Sequence, residues 1–144
     1  MKLSTLTLVL GFALCVLSSG FLCAETLTGN VGWSYQWGSA WLDLNKPTDF
    51  KRGDTIRLKI GGTANKVIVR FLAEGQAPDD PVGIEGGALP IQRGERTVDV
   101  TLQEDHLRTT QISVHGGINP WGLYPLGETN GPATILSAER ISHQ

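Results

Sequence analysis

Cysteine is nearly missing from this 144-residue chain, and its two cysteines, Cys15 and Cys23, both fall within the first 24 residues. No C-x-x-C pair occurs, which excludes thioredoxin-like redox chemistry and cysteine-held zinc. G-x-S-x-G, H-E-x-x-H, P-loop and G-x-G-x-x-G motifs are absent as well. The three histidines, His106, His115 and His143, have spacings that fit no standard metal pattern. An excess of positive charge is also lacking. Fourteen acidic and 12 basic residues give a net charge of −2, and no basic run or stripe occurs. That balance argues against nucleic acid or an anionic membrane as a partner.

Long apolar runs are confined to the start. Lys2 is followed by an uncharged apolar stretch over residues 6–17, then by Ser18-Ser19-Gly20-Phe21-Leu22-Cys23-Ala24 and the acidic Glu25. This is the order of regions in an export signal. The run is too short for the ~20 residues that span a hydrocarbon core, so no membrane insertion is expected after processing. The expected organisation is a signal peptide over residues 1–24, with cleavage after Ala24 or, as a fallback, after Gly20. One cysteine-free domain follows over residues 25–144. Export without disulfides, and without an Asn-x-Ser/Thr sequon, fits the periplasm or medium of a bacterium.

What the remainder does have is period-2 alternation, the mark of strands with one buried face. Ile56, Leu58 and Ile60 alternate with Arg57 and Lys59; Val98, Val100 and Leu102 alternate with Asp99 and Thr101; Ile112 and Val114 alternate with Gln111, Ser113 and His115. Residues 66–72 are apolar on both faces, as in a central strand covered on each side. Residues 133–141 read as a closing strand with 27–31 as its partner, and 103–108 as a single helical turn. Eighteen glycines and seven prolines leave no room for long helices, and pairs such as Gly61-Gly62, Gly86-Gly87 and Gly116-Gly117 read as turns. The fold class expected is all-β, a jelly-roll-like β-sandwich.

The succession in the C-terminal half resembles the galactose-binding-like jelly rolls. It runs from an alternating strand at 97–102 through the acidic link Gln103-Glu104-Asp105 to a second strand at 111–115, then a Gly- and aromatic-rich loop at 116–126 and a closing strand at 135–141. The likeness is one of architecture and covers residues 50–142. Many such domains are carbohydrate-binding modules, which implies a polysaccharide or glycan partner and no catalysis. Jelly rolls of this type often hold a structural calcium where the first and last strands meet. The resemblance therefore implies Glu25, Asp43 and Glu139 as oxygen ligands, with no other cofactor expected.

Aromatic placement agrees with a sugar ligand. A Trp or Tyr ring offers a flat apolar platform to the C–H face of a sugar, and polar side chains beside it capture the hydroxyls. Trp33, Tyr35 and Trp37 alternate in Gly32-Trp33-Ser34-Tyr35-Gln36-Trp37-Gly38, and Asn119, Trp121 and Tyr124 share a loop stiffened by Pro120 and Pro125. The expected ligand-binding residues are Trp121, Tyr124, Trp37, Tyr35, Arg70, Gln111, His115 and Asn119. Trp33 and Trp41 read instead as core fillers. His106 reads as a loop residue, Asp79-Asp80 as solvated charge, and Arg52-Gly53-Asp54 as a turn entering a strand. Two rivals stand beside the glycan reading. One is a protein-interaction domain of the bacterial envelope, which would bury the aromatic residues against a protein partner. The other is a small hydrolase built on paired carboxylates.

Overall fold

A computed structural model describes residues 14–15, 22–34, 36–91, 96–117 and 130–143. The described residues form strands β1 (Leu14–Cys15), β2 (Leu22–Thr26), β3 (Gly29–Ser34), β4 (Ser39–Phe50) and β5 (Thr55–Gly62). These are followed by β6 (Lys66–Ala73), β7 (Ile84–Pro90), β8 (Thr97–Thr101), β9 (His106–His115) and β10 (Ala133–His143). No helix occurs among them. They make two antiparallel sheets, β1-β2-β10-β5-β8 and β3-β4-β9-β6-β7, here called the first and second sheet. The protein is an all-β sandwich.

Alternation puts one side chain in two between the sheets. On β5, Ile56, Leu58 and Ile60 are fully buried, and the register sets Ile56 opposite Val100 and Leu58 opposite Val98 of β8. From the second sheet, Ala40, Leu42, Val67, Val69, Phe71, Ile112 and Val114 face them. Phe50 and Phe71, both on the inner face of the second sheet, meet edge to face within this core, with ring centroids 5.8 Å apart. Burying a side chain of this size contributes about 1.5–3 kcal/mol, which is how the core meets the entropy of ordering the chain. As the double-sided pattern implied, β6 lies between β9 and β7, and Ile68 and Arg70 on its other face are buried too.

Several expectations need correction. The partner of the closing strand is β2, paired from Thr26 opposite Glu139 to Leu22 opposite His143. The chain changes sheets at Leu27–Thr28. Leu27 N–H still donates to Ala138 in the first sheet, whereas the Thr28 carbonyl accepts from Asn45 in the second. Residues 29–34 then pair with β4. No helical turn forms at 103–108: β9 starts at His106, and Arg108 takes a positive φ of 54° while its N–H donates to Asp49 Oδ1. Gly86 and Gly87 lie within β7 rather than in a turn, at φ of 71° and 68°, where the ladder to β6 slips. The unanticipated β4 contains Pro47, which is tolerated because residues 44–47 bulge out of the ladder to β9.

Two features bear on the N-terminal boundary. A boundary after Ala24 falls inside β2. Cys23 is disulfide-bonded in the full-length chain, with Cys15 opposite it in the β1–β2 register.

Candidate functional site

The second sheet carries polar residues on the face turned away from the core. Because the side-chain period is 2, Ala40 and Leu42 point inward and Ser39, Trp41 and Asp43 outward. The same parity sends Gln111, Ser113 and His115 outward on β9 and Ile68, Arg70 and Leu72 outward on β6. The register then lines these residues up in rows. Gly32, Trp41, Ser113, Arg70 and Ile84 form one row across all five strands, and Asn30, Asp43, Gln111 and Leu72 form the next.

The rows differ in access. Arg70 is only 2% exposed, and Ser113 and Ser39 are buried as well. Residues 74–83 fold back over this part of the face, and Arg70 Nη2 donates to the Ala77 carbonyl at 3.2 Å. Burial pulls the Arg70 pKa below its ordinary value, while the carboxylates of Asp80 and Asp79 act to raise it. His115 Nε2 lies 3.0 Å from Ser113 Oγ. Burial, assisted by the Arg70 charge, pushes the His115 pKa down to about 4, so its imidazole is neutral near pH 7.

Beside this covered strip the face opens. Trp41 is half-buried with its ring laid across Gly32, so that a Cβ at Gly32 would come within 2.4 Å of Trp41 Nε1. Next to it, Gln111 Nε2 donates to Asp43 Oδ1 at 2.8 Å, and Asn30 and Asp43 are exposed. A flat ring therefore borders carboxylate and amide groups that reach solvent.

Arg70, Gln111 and His115, expected as ligand residues, thus share one face. Trp37 lies in the β3–β4 turn, 42% exposed and away from that face's rows. Tyr35, Asn119, Trp121 and Tyr124 lie outside the described residues. The core assignment of two tryptophans is overturned. Trp33 is 62% exposed, because β3 is an edge strand, and Trp41 faces away from the core. Sequence reasoning therefore did not place Trp41 on this face. The signal was present, since Trp41 has the parity of Ser39 and Asp43 rather than that of Ala40 and Leu42.

The implied calcium ligands do not converge. Glu25 pairs with Arg140, Glu139 lies 3.7 Å from Arg57, and Asp43 sits on the other sheet against Gln111. Among the described residues no group of three or more His, Cys, Asp or Glu side chains could hold a metal ion. His106, expected in a loop, is buried at the start of β9. Arg52-Gly53-Asp54 is a turn, with Gly53 at φ 91° and the Asp54 carboxylate accepting from the Lys51 N–H at 2.9 Å. Searched against family models, curated proteins and solved structures, the chain matches none.

Proposed function

We propose that the protein is an exported, non-catalytic glycan-binding domain whose ligand lies on the outer face of the second sheet. The observation that carries this reading is the half-exposed Trp41 ring beside the hydrogen-bonded Asp43–Gln111 pair. The ring offers an apolar platform to a sugar's C–H face, and the carboxylate and amide accept and donate to its hydroxyls. Asn30, in the same row as Asp43, extends the polar edge.

The covered strip supports the open one. Ser113 and Arg70 continue the Trp41 row, and neutral His115 bonds Ser113, so the strand bearing Gln111 is fixed by packing rather than by solvent-exposed contacts. A platform held rigid in this way loses little freedom on binding. The pairing order also supports the resemblance to a jelly roll. β2 pairs β10, β10 pairs β5 and β5 pairs β8 in one sheet, while β4 pairs β9, β9 pairs β6 and β6 pairs β7 in the other. The export signal gives the domain access to extracellular or periplasmic glycans.

Calorimetry and affinity electrophoresis against a panel of neutral and acidic polysaccharides test the proposal. At least one polysaccharide should retard the wild type and shift its Trp fluorescence. Trp41→Ala should weaken that binding about tenfold or more, the scale of one lost ring contact. Asp43→Ala should weaken it as well. No retardation by any polysaccharide, or retention undiminished in Trp41→Ala, overturns the reading.

A further inference from the structure

The hydrogen bond between Gln111 and Asp43 sets the orientation of the amide. An ionised carboxylate only accepts, so Gln111 must turn its nitrogen toward Asp43 and its carbonyl oxygen away. Nε2 donates to Asp43 Oδ1 at 2.8 Å, and among the described residues neither Asp43 Oδ2 nor Gln111 Oε1 accepts from a protein donor. Beside the Trp41 ring the open strip therefore presents two oxygen acceptors.

The charge of this strip is the second observation. Asp43 is exposed and makes no ion pair among the described residues. In the row of Trp41 and the row of Asp43, Arg70 is the single cation. It is 2% exposed, donates to the Ala77 carbonyl and feels the carboxylates of Asp80 and Asp79, so its charge is answered within the covered strip. The open strip thus carries one negative charge. It stands two residues along β4 from an indole on the same face, and the face of an indole is itself electronegative.

We infer, resting on the glycan reading above, that the preferred ligand is a glycan of amino sugars with unsubstituted amines, whose ammonium is held by Asp43 Oδ2, Gln111 Oε1 and the Trp41 ring. An ammonium has three donors and no acceptor, which matches two free oxygens and leaves the third N–H to solvent. A carboxylate bond to a cation is stronger than one to a neutral hydroxyl, and a tryptophan face attracts a cation as well. Neutral sugars engage the ring and the same oxygens more weakly. Uronate and sulfated sugars bring a like charge to Asp43 and are disfavoured.

Calorimetry with glucosamine and N-acetylglucosamine oligosaccharides of equal length tests the preference, because the two differ only at the nitrogen. At low ionic strength, with the amine protonated, the glucosamine form should bind at least about tenfold tighter, and added salt should narrow the gap. Polygalacturonate should bind least. Asp43→Asn keeps an acceptor for Gln111 but no charge, and should bring the two affinities within about threefold of each other. Asn30→Lys should do the same by another route. Residue 30 lies directly opposite Asp43 in the β3–β4 register, so its ammonium would occupy the carboxylate across the strands. Equal binding of the two oligosaccharides by the wild type overturns the inference and leaves a glycan-binding domain without this selectivity. A preference that survives both substitutions overturns the assignment to Asp43. Failure to bind either oligosaccharide or any polysaccharide overturns the inference and the glycan reading together.

Discussion

Glu85 on β7 and His106 at the start of β9 meet inside the protein, with Oε1 and Nε2 2.7 Å apart and side chains 3% and 8% exposed. The Glu85 carboxylate also accepts from the Gln103 N–H at 3.0 and 3.2 Å, and the His106 ring stacks on Phe71 at 4.7 Å. Gln103 belongs to the link that carries the chain from β8 in the first sheet to β9 in the second. One carboxylate thus ties that crossing to the far strand of the second sheet.

Removing the carboxylate leaves the partly buried Gln103 N–H and the buried His106 ring without this acceptor. Glu85→Ala is therefore expected to cost about 3–5 kcal/mol, the range for breaking a buried pair from one side. Urea unfolding measures it. A loss below about 1 kcal/mol would show that water reaches the pair.

His115 makes stability depend on pH in a defined window. Its pKa is about 4 in the folded protein against 6.5 in the unfolded chain, so between those values the unfolded state binds the extra proton. Stability contributed by neutral His115 is present above pH 6.5, falls on acidification and is fully lost below about pH 4. The shift corresponds to about 3 kcal/mol as an upper bound. His115→Gln should flatten this part of the curve relative to wild type when urea midpoints are compared at pH 7.5, 5.5 and 4. Parallel curves for the two proteins would place the acid sensitivity elsewhere.

The sequence revealed strands wherever alternation was clean, as in β5, β8 and the second half of β9, because their buried faces are uninterrupted. It concealed β4, whose stretch from Asn45 to Asp49 is polar, contains Pro47 and shows no alternation; the bulge that makes room for it depends on β9, which is distant in sequence. It concealed β2 beneath an export-signal pattern. That Gln111, Ser113 and His115 share one outward face was legible, because parity alone places them there; the burial of Arg70 beneath residues 74–83 was not. Nor was the place of Trp41, because hydrophobicity argued for the core and only its neighbours Ser39 and Asp43 argued against it. The Glu85–His106 pair joins residues 21 apart in the chain, and no local pattern marks it.

Gly83 and Gly53 form a controlled pair. Both have left-handed φ, 87° and 91°, but a Cβ at Gly83 would lie 2.2 Å from the Phe71 carbonyl oxygen, whereas one at Gly53 would meet nothing within 4 Å. Gly53→Ala should cost only the backbone strain, about 1 kcal/mol. Gly83→Ala should cost at least about 2 kcal/mol more, because Phe71 also donates its N–H to the Gly83 carbonyl and cannot retreat without breaking that bond. Equal melting temperatures for the two variants would contradict this.

Under the export proposed above, the mature N-terminus is expected at Phe21. Cleavage after Gly20 keeps all of β2, whose residues Leu22 to Thr26 pair with β10. Cleavage after Ala24 would remove Leu22, Cys23 and Ala24 from that ladder and put a charged terminus beside the Glu25–Arg140 ion pair. Intact mass of the exported protein decides between the two. A mature chain beginning at Glu25 and as stable as one beginning at Phe21 would mean that the first residues of β2 contribute nothing to the fold.

Gly32 offers a way to move Trp41 without deleting it. An added Cβ would sit 2.4 to 2.7 Å from three atoms of the indole, so the ring must swing aside, and a side chain end yields more readily than the backbone beneath it. Gly32→Ala should therefore change stability by less than about 1 kcal/mol, since the strand itself favours alanine over glycine. Glycan affinity should nevertheless fall about tenfold and the Trp emission shift to the red as the ring leaves the sheet. Trp41→Ala in the Gly32→Ala background should then lower affinity no further, because the platform is already lost. Full affinity in Gly32→Ala would mean that the ring's position over Gly32 is irrelevant to binding, and the ligand would have to be sought away from Trp41.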